Sequence, residues 1–218
     1  MALGMKLALV VIGDGRYEYL ERTVRSIRDN VVHPITTRIM VNDEADLEYI
    51  CWIDSTFGDW RTVHTCRSGM AGAVQAAFQA ALDADPDYVL YAEEDMLITR
   101  RLPIRAAAEI LDNHPHVAQM LFQRQPLTPD EIAAGSVVGA MGAVDHGDWS
   151  SQTHIFSLNT CLIRPEVMRL GWPSGPLGVG NETGFTKRCL EAGYVFGVWN
   201  DGPYVEHIGT ARSAQWQL

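Results

Sequence analysis

Short apolar runs alternate with apolar residues at helical spacing along the first third of the chain. Leu7–Ile12 is a continuous apolar run that predicts a strand buried on both faces of a parallel sheet. A helix is predicted to follow and to end before Pro34, because a proline disfavours helical backbone at the residue before it. The apolar positions of this helix are Leu20, Val24, Ile27 and Val31.

The same order recurs twice. Apolar runs at Arg38–Val41 and Tyr88–Ala92 predict two further strands, and a helix is predicted between them. Its apolar face consists of Met70, Val74, Phe78 and Ala81. Strands that alternate with amphipathic helices predict an α/β fold, in which helices flank a mostly parallel central sheet.

The second half has a looser pattern. Gln123–Thr153 lacks a clear period and predicts a long loop of a kind that is often functional. The other elements expected here are a helix at Ala106–Leu111, strands at Val117–Phe122, Ile155–Ile163 and Tyr194–Trp199, a short helix after Pro165, and a helix at Glu182–Ala192 that ends at Gly193.

Composition and charge narrow the class of protein. The 218 residues fit one domain, and 47% apolar with 20% charged residues is ordinary globular composition. A net charge of -10 disfavours a nucleic-acid partner, which needs a basic face. Leu7–Ile12 is too short for an integral membrane segment, and no signal-peptide layout surrounds it. We therefore expect a cytoplasmic protein.

Acidic residues follow the predicted strands, where ligands bind in open α/β sheets. Asp43 follows the second strand, and Glu93, Glu94 and Asp95 follow the third. Two such charges about 4 Å apart repel by roughly 1 kcal/mol in water and about 4 at an effective dielectric of 20. A bound Mn²⁺ or Mg²⁺ would relieve this repulsion, and these ions share their remaining positions with phosphate oxygens and water. A nucleotide diphosphate fits that description.

Several segments resemble family 2 glycosyltransferases. They are Val10–Ile12, Tyr19–Ile27, Val41–Asp43, the Gly-containing turn Arg67–Ala73, and Tyr91–Asp95, which is similar to the family's acidic motif. The resemblance implies a single domain of the GT-A fold, with residues 1–100 as the nucleotide-sugar and metal half and 101–218 as the acceptor half.

The resemblance also implies roles for individual residues. The donor would contact Ile12, Asp14, Asp43, Gly69, Glu93 and Glu94. Asp95 would bind the metal, together with His207 from the segment Val205–Gly209, which resembles the His-x-Gly pattern of GT-A enzymes. Glu93 stands where the commonest form of the acidic motif has an aspartate.

The acceptor site is expected in the second half. Asn181 and Glu182 match the family's acidic acceptor motif, which makes Glu182 the candidate base of an inverting transfer. The alternative is a carboxylate that stabilises a helix N-terminus by about 0.3–1 kcal/mol. Trp149 and Trp172 lie in predicted loops and are candidates to stack on an acceptor sugar.

These observations predict a metal-dependent glycosyltransferase that moves a sugar from a UDP- or GDP-sugar to a hydroxyl acceptor. Two alternatives stay open: a protein that binds the nucleotide sugar without turnover, and a sugar nucleotidyltransferase. The latter needs a Gly-rich, basic loop after the first strand, and Gly13–Arg16 is a poor match. A dehydrogenase is excluded, because the third glycine of a dinucleotide-binding turn is missing.

Overall fold

A computed structural model of the chain describes residues 4–174 and 180–209. The helices are α1 (Tyr17–Asn30), α2 (Leu47–Thr56), α3 (Gly69–Asp83), α4 (Ile104–Asn113), α5 (Pro129–Ala133), α6 (Val137–Ala140), α7 (Pro165–Met168) and α8 (Gly180–Glu191). The strands are β1 (Leu7–Gly13), β2 (Ile35–Asn42), β3 (Arg61–His64), β4 (Tyr88–Glu93), β5 (Met96–Ile98), β6 (Val117–Phe122), β7 (Arg124–Gln125), β8 (Val144–Asp145), β9 (Trp149–Gln152), β10 (Cys161–Ile163), β11 (Val195–Trp199) and β12 (Val205–His207).

The main sheet has nine strands in the order β3-β2-β1-β4-β10-β6-β11-β9-β8. Strands β1 to β4 pair in parallel, and β10 is inserted antiparallel between β4 and β6. Strand β9 is also antiparallel to its neighbours, so seven of the nine described strands run in one direction. The sheet is therefore mostly, but not wholly, parallel.

Both faces of this sheet are covered, as the apolar run of β1 predicts. Alternate β1 side chains belong to two different core clusters, because successive residues of a strand point to opposite faces. One face packs on α1, α2 and α4, and the other packs on α3, α7 and α8. The β1 residues on the first face are Leu7, Leu9 and Val11, and those on the second are Ala8, Val10 and Ile12.

A small second sheet positions the candidate site. It has the order β5-β12-β7, and β12 pairs antiparallel with β5 and parallel with β7. The Ser26 Oγ of α1 accepts a hydrogen bond of 2.9 Å from the Ile98 backbone N–H, which ties β5 to the first half. The last described strand of the chain is thereby brought back to the turn that follows β4.

Two regions differ from the sequence prediction. Residues 123–153, expected as a loop, contain short elements from β7 to β9, each two to five residues long and too short to show a period. Within Ile155–Ile163 only Cys161–Ile163 is a strand. Among the described residues no helix is both long and apolar enough to cross a membrane.

Candidate functional site

Asp95 and His207 converge although 112 positions separate them in the chain. Asp95 precedes β5, and His207 lies opposite Met96 in the antiparallel β5–β12 pair. The Ile208 backbone N–H donates to the Asp95 carbonyl at 2.9 Å and extends this pairing. The His207 Nε2 lies 3.2 Å from the Asp95 Oδ2. The two predicted metal ligands therefore lie at the carboxyl edge of β4.

Gly209 leaves the space in which these two side chains meet. A Cβ at this position would lie 2.2 Å from the Asp95 Oδ2 and 3.1 Å from the His207 Nε2. Such approaches are far inside van der Waals contact, so glycine is needed here. The other carboxylate oxygen, Asp95 Oδ1, is buried and has no hydrogen-bond partner in the described structure. A buried acceptor that lacks a donor is costly unless a ligand satisfies it.

Arg16 joins the two acidic residues that follow β4. Its Nη2 lies 3.0 Å from the Asp95 Oδ2, and its Nε donates to the Glu94 Oε1. The second Glu94 oxygen accepts from the Asp14 backbone N–H at 2.9 Å, and the Glu94 carbonyl accepts from the Thr23 hydroxyl at 2.7 Å. The Glu94 side chain is only 2% exposed. Glu94 therefore holds the loop after β1, and its contact with the donor stays a prediction.

The charge state of this pair follows from its surroundings. Burial raises the pKa of Glu94 to about 7, although Arg16 opposes the shift. Burial acts in the same direction on Asp95, but the hydrogen bond with His207 and the charge of Arg16 outweigh it and lower the pKa of Asp95. Asp95 is therefore an ionised carboxylate at neutral pH, as a metal ligand must be.

Asp43 organises the turn that begins α3. Its carboxylate accepts hydrogen bonds from the Thr65 hydroxyl at 2.6 Å and from the backbone N–H groups of Ser68 at 2.8 Å and Gly69 at 2.9 Å. The Ser68 hydroxyl adds a fourth bond at 3.0 Å. Asp43 is 4% exposed and its described contacts are with this turn, so its contact with the donor stays a prediction. Left-handed backbone in the turn occurs at Cys66 (φ 51°), Arg67 (φ 63°) and Gly69 (φ 74°).

Glu93 and Glu182 form a second pair of carboxylates, whose charges act on each other. Burial, followed by the charges of Asp95 and Glu182, raises the pKa of Glu93 to about 8. Burial also raises the pKa of Glu182, although its Oε1 accepts a hydrogen bond of 3.0 Å from the Leu158 backbone N–H. The fully buried Tyr91 hydroxyl has no hydrogen-bond partner in the described part of the chain. The candidate base and the acidic motif therefore share one electrostatic environment.

The two candidate acceptor tryptophans are both buried. Trp149 is 6% exposed and stacks on His146 with a centroid distance of 4.3 Å. Trp172 is 4% exposed and packs on Phe185 at 4.9 Å. Both rings therefore pack within the described part of the protein, and their contact with an acceptor stays a prediction. Asn181 is 6% exposed, and its acceptor contact stays a prediction.

Ile12 and Asp14 lie at the carboxyl end of β1. Ile12 is 6% exposed, and its carbonyl accepts from the Glu94 backbone N–H at 2.9 Å. Asp14 stands in the loop beside Glu94 and is half-buried. Both positions face the edge at which Asp43 and Asp95 lie, and their contact with a donor stays a prediction.

The sequence interpretation assigned no role in the site to Arg16 and none to the space at Gly209. Arg16 carries a weak signal, since it is the only cation in the loop directly after β1. Gly209 belongs to the His-x-Gly pattern, but the pattern does not reveal that its glycine lies against Asp95.

The donor atoms fit a hard divalent cation. Asp95 offers an ionised carboxylate with one unsatisfied oxygen, and His207 offers an imidazole nitrogen beside it. No group of three His, Cys, Asp or Glu side chains suited to a metal occurs in residues 4–174 and 180–209. Two protein ligands are nevertheless enough for Mg²⁺ or Mn²⁺ when substrate oxygens and water complete the shell.

No family model matches the chain, and no curated protein matches it. Solved structures do. The chain is similar to S. aureus TarS 1–349 (TM-score 0.64, 14% identity), with 93% of this chain and 60% of that one covered. It is similar to the mannosyltransferase PcManGT from Pyrobaculum calidifontis, solved with GDP-Man and Mn²⁺ (0.68, 14%), with 97% and 59% covered. GalNAc-T7, solved with UDP, GalNAc and Mn²⁺ (0.68, 14%), has 46% of its length covered by the whole of this chain.

The chain thus spans about half to three fifths of the length of these proteins. At 14% identity this similarity establishes the fold, and the activity has to be argued from the site residues. The sheet order, the helices on both faces and these neighbours together show that the protein has the GT-A glycosyltransferase fold.

Proposed function

We propose that the protein is a metal-dependent glycosyltransferase that transfers a sugar from a UDP- or GDP-sugar to a hydroxyl acceptor with inversion. The observation that carries this proposal is the meeting of Asp95 and His207 at the carboxyl edge of β4. In an open α/β sheet this edge is where ligands bind. The neighbours PcManGT and GalNAc-T7, which were solved with Mn²⁺ and nucleotide or nucleotide sugar, support the same assignment.

Asp95 and His207 would hold the metal, Mn²⁺ or Mg²⁺. When bound there, the ion supplies Lewis-acid stabilisation of the negative charge that develops on the leaving diphosphate. Gly209 leaves the space in which the two ligands meet. The turn that Asp43 braces would shape the nucleoside pocket.

Glu182 would accept the proton of the acceptor hydroxyl. Its hydrogen bond to the Leu158 N–H comes from outside α8, so this carboxylate connects the helix to the loop before β10. That contact fixes the side chain in the cleft, and its raised pKa makes it a better base than a solvated glutamate. A role limited to its own helix N-terminus would not require the Leu158 contact.

The proposal is tested by donor binding and turnover. We expect UDP or GDP to bind to the wild-type protein by calorimetry only when Mn²⁺ is present, and Asp95→Ala to abolish this metal-dependent binding. Asp83→Ala, which removes an exposed carboxylate that pairs with Arg61 on the helix surface, should bind like the wild type. Unchanged affinity in Asp95→Ala would overturn the metal site.

Turnover separates an enzyme from a binding protein. The protein is incubated with a panel of UDP- and GDP-sugars, Mn²⁺ and hydroxyl acceptors, and free nucleoside diphosphate is measured. Release that depends on Mn²⁺ and on Asp95 supports the transferase. Binding of a donor without any release across the panel would favour the non-catalytic alternative.

A further inference from the structure

Arg16 forms an ion pair with Asp95, the proposed metal ligand. It precedes α1 in the loop after β1, and its guanidinium contacts both Glu94 and Asp95. Its two partners are nearly buried, with the Glu94 side chain 2% exposed and the Asp95 side chain 8% exposed. Arg16 itself keeps 25% exposure, so it is the solvent-facing member of the cluster.

The contact between Arg16 and Asp95 uses the same carboxylate oxygen that the His207 imidazole approaches. The Asp95 Oδ2 lies 3.0 Å from the Arg16 Nη2 and 3.2 Å from the His207 Nε2. A divalent ion shared by Asp95 and His207 would come within a few ångströms of the guanidinium. Like charges at that separation repel strongly in a partly buried site. The metal and the present Arg16 position are therefore mutually unfavourable.

We propose that Arg16 is the resident counter-ion of Asp95, which the metal displaces and which then contacts the donor diphosphate. This inference rests on the proposed metal site. A guanidinium is well suited to the second role, because its planar fork of N–H groups matches phosphate oxygens. The result is a linkage in which the metal alone binds weakly, whereas the nucleotide diphosphate neutralises Arg16 and strengthens metal binding.

The surroundings of Arg16 permit the exchange. Glu94 keeps its contact with the Asp14 backbone N–H when the guanidinium moves, so the loop after β1 retains an anchor. The Arg16 guanidinium already lies 5.1 Å from the centre of the half-buried Tyr19 ring, which provides a second favourable contact.

Mn²⁺ binding without nucleotide tests the competition directly. Free Mn²⁺ is measured by its electron paramagnetic resonance signal in titrations of the wild type, Arg16→Gln and Arg25→Gln. Arg25 lies on the exposed face of α1, so Arg25→Gln controls for the loss of one positive charge. We expect Arg16→Gln to bind Mn²⁺ at least about tenfold more tightly than the wild type, and Arg25→Gln to match the wild type within about twofold.

The nucleotide arm tests the second role. With saturating Mn²⁺, Arg16→Gln should bind UDP or GDP at least about tenfold more weakly, since one charge-assisted contact with the diphosphate is lost. Arg16→Lys preserves the charge but lacks the fork of N–H groups that reaches both carboxylates. Its Mn²⁺ affinity should therefore lie between that of the wild type and that of Arg16→Gln. This variant also keeps the test valid if Arg16→Gln fails to fold, because Mn²⁺ affinity equal to wild type would contradict the competition.

The outcomes separate this inference from the proposed function. Equal or weaker Mn²⁺ binding by Arg16→Gln, in a protein that still binds Mn²⁺ with nucleotide, overturns the role of Arg16 and leaves the metal site intact. Failure of every variant to bind Mn²⁺, with or without UDP or GDP, overturns the metal site itself and this inference with it.

Discussion

Replacing Gly209 by alanine tests the geometry of the site with a single methyl group. The added Cβ would lie 2.2 Å from the Asp95 Oδ2, 3.0 Å from its Cγ and 3.1 Å from the His207 Nε2. Relief requires a displacement of about 1 Å, and misplacement on that scale can cost a factor of about 100 in an enzyme rate. Asp95 is short and buried, so it cannot turn away without losing its contacts with Arg16 and His207.

We expect Gly209→Ala to lower nucleotide-dependent Mn²⁺ affinity and turnover by at least about tenfold, and by up to about 100-fold. Calorimetry and nucleoside diphosphate release measure the two effects, and thermal unfolding shows whether the fold persists. Gly58→Ala is the matched control, because its Cβ would meet only the Asp54 carbonyl at 3.3 Å. Wild-type Mn²⁺ affinity in Gly209→Ala would show that Asp95 and His207 do not act as one metal site.

Four further predictions address residues with other roles. Asp43→Asn should lower the free energy of unfolding by about 1–3 kcal/mol in a denaturant titration without nucleotide, because the substitution weakens a buried acceptor of several hydrogen bonds. Unchanged stability would leave donor contact as the sole role of Asp43. Glu182→Gln should preserve donor affinity but cut turnover at least about 100-fold, and near-normal turnover would exclude Glu182 as the base. In the wild type, turnover should decrease as the pH is lowered, with a midpoint above the ordinary glutamate pKa. In EDTA, the stability contributed by protonated Glu93 and Glu94 is complete below the pKa of these groups in the unfolded chain, and it is lost as the pH rises towards their folded pKa values of about 8 and 7. The protein should therefore unfold at a lower denaturant concentration at pH 8 than at pH 5, and Glu93→Gln should reduce this difference. The same pH dependence in Glu93→Gln and the wild type would contradict the raised pKa of Glu93. Trp172→Ala should cost about 3–5 kcal/mol of unfolding free energy as a core truncation, whereas a surface residue that only stacks on acceptor would leave thermal stability unchanged.

The parts of the fold that carry their own periodicity were predictable. Strands β1 and β4 are apolar on both faces, and α1 repeats its apolar positions every three or four residues. Helix α2 was not predicted, because its buried face is limited to Tyr49 and Ile53 and an exposed Leu47 blurs the pattern. Strands β5 and β12 have three residues each, which is too few to show alternation.

The candidate site was predictable only in part. Asp95 and His207 were expected to converge, and they do, but only the register of β5 with β12 explains how. The metal role of that pair stays a prediction. Burial of Trp149 and Trp172 could not be foreseen, because a tryptophan outside a periodic segment looks the same whether its ring meets solvent or Phe185.

Strand β10 has a mechanical consequence. By pairing with both β4 and β6, it makes the two halves of the chain one continuous hydrogen-bonded sheet. Bending such a sheet at that point would break its ladder, so hinge closure between the halves is disfavoured. Under the proposed function, we therefore expect acceptor specificity to be set by the segments that leave the sheet edge. One of them is the loop before β10, whose Leu158 N–H contacts Glu182.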